Sequence, residues 1–332
     1  MVKRYACTAL CAVGLLLVSI GAASSGRAQN LPPGPPGLPP APSQNGSAAI
    51  LERDVEEMAT FSAAHRLRAD PNNRLYVVDS KRSTVAILTV DGRTQITLGG
   101  RGREAGAFDE PLDVDPTNGL EIFVADSGNG RVQRFSRSGK YVEALPIGRV
   151  DPANRTSARQ PLFDAGRDGT DARAEGRPVA VAAAPNGDVF VLDASENAII
   201  RFDQQRRQRP FAGGFDARDG RLVDPVAMAV SERRVFVADL EGEEIIGYDR
   251  FGTPASRLGL SEPVASLSLI GDELWAVSST GVAVIDGLGE RIVGRIAVDL
   301  SEPIVDAVRV DRQLFLLTPT RLLLVQNPDT RR

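Results

Sequence analysis

His65 is the one histidine in the chain, and both cysteines, Cys7 and Cys11, fall inside an apolar leader. Zinc held by three histidine or cysteine ligands is therefore out of reach beyond that leader. A histidine-based nucleophile pair is equally out of reach, except around His65 itself. A solitary histidine at the entrance of a strand is ordinarily a surface or hydrogen-bonded structural residue. What the chain does offer is carboxylates in repeated phrases. Asp109 and Glu110, Asp224, Glu262 and Glu302 each stand just before a proline, in DEP, VDP, SEP and SEP. Asp79, Asp126, Asp193 and Asp239 close four similar apolar runs. Recurrence at one place predicts turn chemistry for this second set, each aspartate bonding backbone amides one or two residues on. Acids gathered around one opening would attract a cation or a basic partner.

The elements that must position these acids repeat. LYVVD (75–79), IFVAD (122–126), VFVLD (189–193), VFVAD (235–239), LWAVS (274–278) and LFLLT (314–318) carry an aromatic at their second place. These are Tyr76, Phe123, Phe190, Phe236, Trp275 and Phe315, and such a constant place reads as core between neighbouring sheets. A further apolar run follows each one, and a short run precedes it. Pro111, Pro178, Pro225, Pro263 and Pro303 introduce five of the preceding runs, while the first has Ala64-His65 there. Short β-branched strands, turn residues and a period near forty predict one antiparallel sheet per repeat. Six such sheets bury their faces only when arranged radially, so the fold class is all-β, a six-bladed β-propeller.

The chain ends soon after the third strand of the sixth blade. The segment ILERDVEEMATF (50–61) precedes the first blade and has no blade of its own. It is expected to supply the missing outer strand and close the ring. In this topology the acids before the prolines, the strand-end aspartates and any insertion between blades share one surface.

The stretch AFDEPLDVDPTNGLEIFVADSGNGRVQRFSRSGKYVEAL (107–145) resembles the NHL repeat, through Pro111, Val124 to Asp126, Ser127 to Asn129, Arg131 to Gln133, Phe135 and Gly139. Blades one, three and four keep a recognisable version, and blades five and six keep spacing and hydrophobicity. The resemblance implies six blades and a binding-type propeller, without fixing a ligand. Lyases similar to NHL propellers use zinc held by several histidines, which this chain does not supply. Six-bladed lactonases that look similar hold calcium in an axial cage of Glu, Asn and Asp. Asp113, Asp115, Asp306 and Arg309 are the main polar residues on the inner strands here, and no matching cage emerges.

Outside the ring, Lys3 and Arg4 precede the uncharged stretch Tyr5 to Gly26, and small residues follow up to Ala28. That order predicts a signal peptide over 1–28 and an exported protein, periplasmic or secreted; the alternative is an uncleaved anchor, the one way this chain would meet a membrane. A Pro/Gly-rich linker over 29–48 and a propeller over 49–332 follow. Removal of Lys3, Arg4 and Arg27, with no acid beside them, takes the net charge from −4 to −7. Nucleic acid is a poor partner for such a chain. The proline spacing widens between Pro111 and Pro178, locating an insertion at 148–177 that contains Arg155, Arg159, Phe163 and Arg167.

The expected function is a monomeric, non-catalytic scaffold without cofactor. It would bind a protein or peptide through Asp109, Glu110, Asp224, Glu262, Glu302 and those four insertion residues. The alternative is a calcium-dependent lactonase-type hydrolase using the rim carboxylates.

Overall fold

Each second-place aromatic falls in a different apolar cluster, and each cluster lies between two neighbouring sheets. All six are buried. A four-stranded sheet of this kind is apolar on both faces and gains stability only by stacking on a neighbour at each side. The computed structural model describes residues 49–148, 176–215, 217 and 219–326. The stretches read as signal peptide and linker, and residues 149–175 of the insertion, lie outside the described residues. Among those described, helix is confined to two single turns, and no helix is long and apolar enough to cross a membrane.

The blades follow one another in chain order, each running from an inner to an outer strand. Blade one comprises Ala64–Ala69, Leu75–Asp79, Thr84–Leu88 and Thr94–Gly99. Blade two comprises Pro111–Asp115, Glu121–Asp126, Arg131–Ser136 and Tyr141–Pro146. Blade three comprises Pro178–Ala183, Val189–Asp193, Ala198–Phe202 and Gln208–Gly213. Blade four comprises Pro225–Val230, Arg234–Asp239, Glu244–Asp249 and Pro254–Gly259. Blade five comprises Val264–Ile270, Glu273–Ser278, Gly281–Ile285 and Ile292–Asp299. Blade six takes Asp306–Val310, Gln313–Leu317 and Arg321–Val325 from the end of the chain.

Its outer strand is Val55–Thr60, antiparallel to Arg321–Val325, so the N-terminal segment closes the ring as expected. Just upstream, Ile50–Leu51 pairs in parallel with Val298 and Asp299 on the edge of blade five. One short segment thus fastens two blades. Glu52 reinforces it, its carboxylate accepting from Arg321 Nη1 at 2.6 Å and from the Ser301 backbone N–H at 3.2 Å.

At the start of each inner strand the pairing slips by one residue. In blades one to five the slip leaves His65, Leu112, Val179, Val226 and Ala265 opposite no partner. In blade six Val305 donates to Leu317 O while Asp306 also pairs Leu317, a two-against-one arrangement of the same kind. Bulges bend the strand and free one side chain from the ladder. Those six side chains form a ring at the end of the axis where the chain enters each blade, hereafter the entrance face. Among the first residues of these strands they are the ones left partly open.

Candidate functional site: the sealed axis and its mouth

An inner strand is an edge, so one row of its backbone groups has no strand to pair with. Charged side chains from neighbouring blades take up that row. Asp306 Oδ2 accepts the Leu67 N–H at 2.8 Å, and Asp113 Oδ2 accepts the Val181 N–H at 3.0 Å. Asp115 Oδ2 accepts the Ala183 N–H in the same way. From blade one, Arg66 Nη1 donates to Ala265 O at 2.8 Å, and Arg68 Nη2 donates to Leu267 O at 3.1 Å. Both guanidinia therefore reach across to blade five.

Ion pairs knit these staples together. Arg68 lies 2.7 Å from Asp306 and 3.5 Å from Asp113, and Arg66 lies 3.4 Å from Asp113. Ser266 Oγ donates to Asp306 Oδ1 at 2.6 Å. All five charged residues are buried, so the plug binds blades one, two, three, five and six in the dark of the axis. Burial pushes the carboxyls of Asp113 and Asp115 above the usual range; Arg68 and Arg66 oppose the shift at Asp113. At Arg68 the attraction of Asp306 and Asp113 outweighs burial and raises its pKa.

His65 lies above this plug, in the ring of bulged residues. Desolvation first, and then Arg66 and Arg68, hold its pKa down at about 3. Its side chain retains open surface, and the two guanidinia below repel a proton there as well. The mouth is thus an apolar rim of Leu112, Val179, Val226, Ala265 and Val305 with one neutral imidazole, over a charged floor.

The rim acids sit on the entrance face, in the loops leading into blades two, four, five and six. They do not form one cluster. The Glu262 carboxylate accepts from Thr280 Oγ1 at 2.6 Å and Ser278 Oγ at 2.7 Å. The Glu302 carboxylate accepts from Thr320 Oγ1 at 2.7 Å. Thr280 and Ser278 hold the Glu262 carboxyl low, and Thr318 and Thr320 do so for Glu302. Asp109, Glu110 and Asp224 make no side-chain bond or ion pair among the described residues. Glu110 adopts a left-handed backbone, φ 50°, and is exposed. Arg155, Arg159, Phe163 and Arg167 lie outside the described residues.

The strand-end aspartates are structural, though their main partners differ from those expected. Asp79 accepts the N–H groups of Ser62 (2.7 Å) and Ala63 (3.2 Å), and Asp239 those of Val223 (2.7 Å) and Asp224 (2.9 Å). Asp126 accepts from Asp109 N and Asp193 from Arg177 N, each at 2.8 Å. Each therefore reaches about sixteen positions back, to the loop entering its own blade, as well as forward to its turn at Arg82 and Ser195.

In blade two, Asn129, Arg131 and Gln133 also converge on Asp126. They hold the loop before the blade through Gly102 O, Glu104 O and Ala107 O. The residues that carry the NHL resemblance are thus a loop-fixing knot. Opposite the knot, Gly99 at φ +90° leaves room for Phe108, whose ring would lie 2.2 Å from a Cβ there.

Sequence reasoning noted Asp113, Asp115 and Asp306 on the inner strands but missed Arg66 and Arg68. The signal was there: Arg-x-Arg in one inner strand beside Asp-x-Asp in the next, a spacing that puts both pairs on the same side of their strands.

The axial set does not fit a calcium ion. Asp113 and Asp306 already face guanidinia, and a cation there would have to displace them. Among the described residues, no group of three or more His, Cys, Asp or Glu could hold a metal.

No protein-family model matches the chain, and no curated protein matches it by sequence. Solved structures do match in fold. A gluconolactonase from Xanthomonas campestris is 15% identical over 82% of this chain and 88% of its own, with a TM-score of 0.57. A luciferin-regenerating enzyme is 10% identical over 82% and 95%, also at 0.57, and a streptogramin B lyase is 12% identical over 80% of each chain at 0.52. The six-bladed propeller is therefore established, while membership of the NHL family is not. These three neighbours bear enzyme names, and at such identity the likeness extends to the fold alone.

Proposed function

We propose that the chain is an exported binding propeller whose entrance face seats an apolar side chain of a protein or peptide in the axial mouth. The observation that carries this reading is the ring of partly open bulged residues, five aliphatic and one neutral imidazole. An apolar anchor buried in such a ring would gain roughly 1.5–3 kcal/mol from desolvation. Asp109, Glu110 and Asp224, free at the surrounding rim, favour a partner with basic groups beside its anchor. The sealed floor supports binding over turnover, because the inner carboxylates are occupied in holding blades together.

The test is selection of binders from a displayed library of random peptides, followed by titration against Leu112→Asp and Val226→Asp. An apolar anchor flanked by Lys or Arg, with affinity falling about tenfold or more in either variant, is the expected result. Peptides that bind both variants as tightly as the wild type would sink the reading.

A calcium-dependent lactonase remains the second reading, favoured by the names of the structural neighbours. Its check is opening of a sugar lactone by the full chain with calcium and with chelator. Calcium-dependent turnover abolished by Asp224→Asn, at a rim carboxylate that holds no blade together, would displace the scaffold reading.

A further inference from the structure

The opposite face of the ring, where first strands turn into second and third into outer, carries a cleft that the entrance-face reading does not use. It lies between blades three and four and has a volume of about 380 Å³. Four guanidinium groups line it, Arg201, Arg233, Arg234 and Arg250, against two carboxylates, Asp188 and Glu232. With Glu290, which pairs Arg234 from just outside the lining, the balance is one net positive charge. Phe190, Val230 and Val235 supply apolar wall.

The four arginines are not equivalent. Arg234 is already engaged, donating to Leu288 O and lying 3.4 Å from Glu290. Arg201 stands across the ladder from Phe190 and is held at one end only, its Nε 3.7 Å from the buried Asp188 carboxylate. Asn186 Nδ2 fixes that carboxylate in turn, at 3.1 Å. Both Nη groups of Arg201 are left to donate elsewhere. Arg250 is stacked on Phe251, its guanidinium carbon 4.7 Å from the ring centroid, and is oriented by that stacking without a carboxylate partner among the described residues. Arg233, at the turn between them, is exposed and has no side-chain partner there either.

Three guanidinia with free N–H groups thus converge on one cleft, two of them pre-oriented by neighbours that do not consume their outer donors. Pre-orientation lowers the entropy lost on binding, and guanidinium forks match the oxygens of a tetrahedral oxyanion.

We infer that this cleft is a binding site for a phosphomonoester-type dianion with a small apolar body, separate from the axial mouth. Arg233 and Arg250, the two lining arginines without a carboxylate partner among the described residues, face the dianion's two charges, the free Nη groups of Arg201 donate to its remaining oxygen, and the apolar wall beside Phe190 takes the organic part.

The test is calorimetric titration of the full chain with phenyl phosphate, inorganic phosphate and succinate at a fixed ionic strength of about 0.15 M, which keeps charge screening equal for all three. Saturable binding of one phenyl phosphate per chain is expected, tighter than inorganic phosphate or succinate. Arg201→Gln and Arg250→Gln should each weaken it about tenfold, the scale of one charged hydrogen-bond pair. Arg207→Gln, an exposed arginine already paired with Asp203, should leave it unchanged. Arg250 is exposed, so its substitution keeps the test decisive should Arg201→Gln disturb the buried Asp188. Absence of saturable binding, undiminished binding by a variant carrying both Arg201→Gln and Arg250→Gln, or succinate binding as tightly as phenyl phosphate would overturn the assignment.

Discussion

Blades one to four and blades five and six fasten the same joint with opposite chemistry. In the first four, a buried aspartate at the end of the second strand reaches out to backbone N–H groups of the entrance loop. In the last two, that strand position is Ser278 or the loop-side neighbour Thr318, and the acid has moved into the loop as Glu262 or Glu302. Donor and acceptor have exchanged sides, while the loop stays tied to the turn. The difference matters because the first version satisfies backbone groups that would otherwise be buried unpaired, whereas the second joins side chains that water could also solvate. The joint is constrained by geometry more than by residue type.

The two groups of blades meet at Arg68, and breaking that contact should have the largest effect. Arg68→Leu leaves Asp306 and Asp113 buried without their main countercharge. It should cost about 3–5 kcal/mol in chemical unfolding, the scale for an orphaned buried charge. A loss under about 1 kcal/mol would mean that water enters the axis and the plug is not sealed. Next in size is the comparison itself. Asp239→Ala, which strands two loop amides, should cost about 1–3 kcal/mol. Glu302→Gln at the equivalent joint should cost under about 1 kcal/mol, because its hydroxyl partners lie near solvent. Equal losses would erase the distinction drawn between the blades.

The smallest effect is a matter of pH. Glu262 and Glu302 are held below the ordinary carboxyl value of 4.5, so they stabilise the fold at neutral pH. That contribution is lost as pH falls from about 4.5 through their folded values. His65 acts at higher pH: the unfolded chain takes up a proton near 6.5 that the folded one refuses until about 3. Stability should therefore already decline between about pH 7 and about pH 5, above the carboxyl range. His65→Gln should flatten the melting-temperature profile from about pH 7 down to about pH 3. The Glu262→Gln/Glu302→Gln pair should leave the part above about pH 5 unchanged and flatten only the part below it.

The number of blades was legible because the aromatic place repeats even where V-A-D does not, as at Trp275 and Phe315. The closing strand was legible as a missing one. Arg66 and Arg68 were hidden by their setting: blade one lacks the introducing proline, and arginine is abundant throughout. Nothing in AHRLRAD alone says that both side chains cross the axis to carbonyls of blade five. The cleft beside Phe190 was beyond sequence reading for another reason. Arg201 and Arg250 sit on different blades, and only ring packing brings them to one cleft.

The N-terminal strap sets the order in which the molecule can be finished. Val55 pairs with Val325, so the first strand made must wait for the last. Closing so long a loop carries an entropic cost that grows with the logarithm of its length, and topologies dominated by such distant contacts fold slowly. Until that moment Arg321–Val325 is a bare apolar edge, and an unpaired edge is an invitation to a second chain. The ring's time of greatest danger is the interval between synthesis of its last strand and the return of its first.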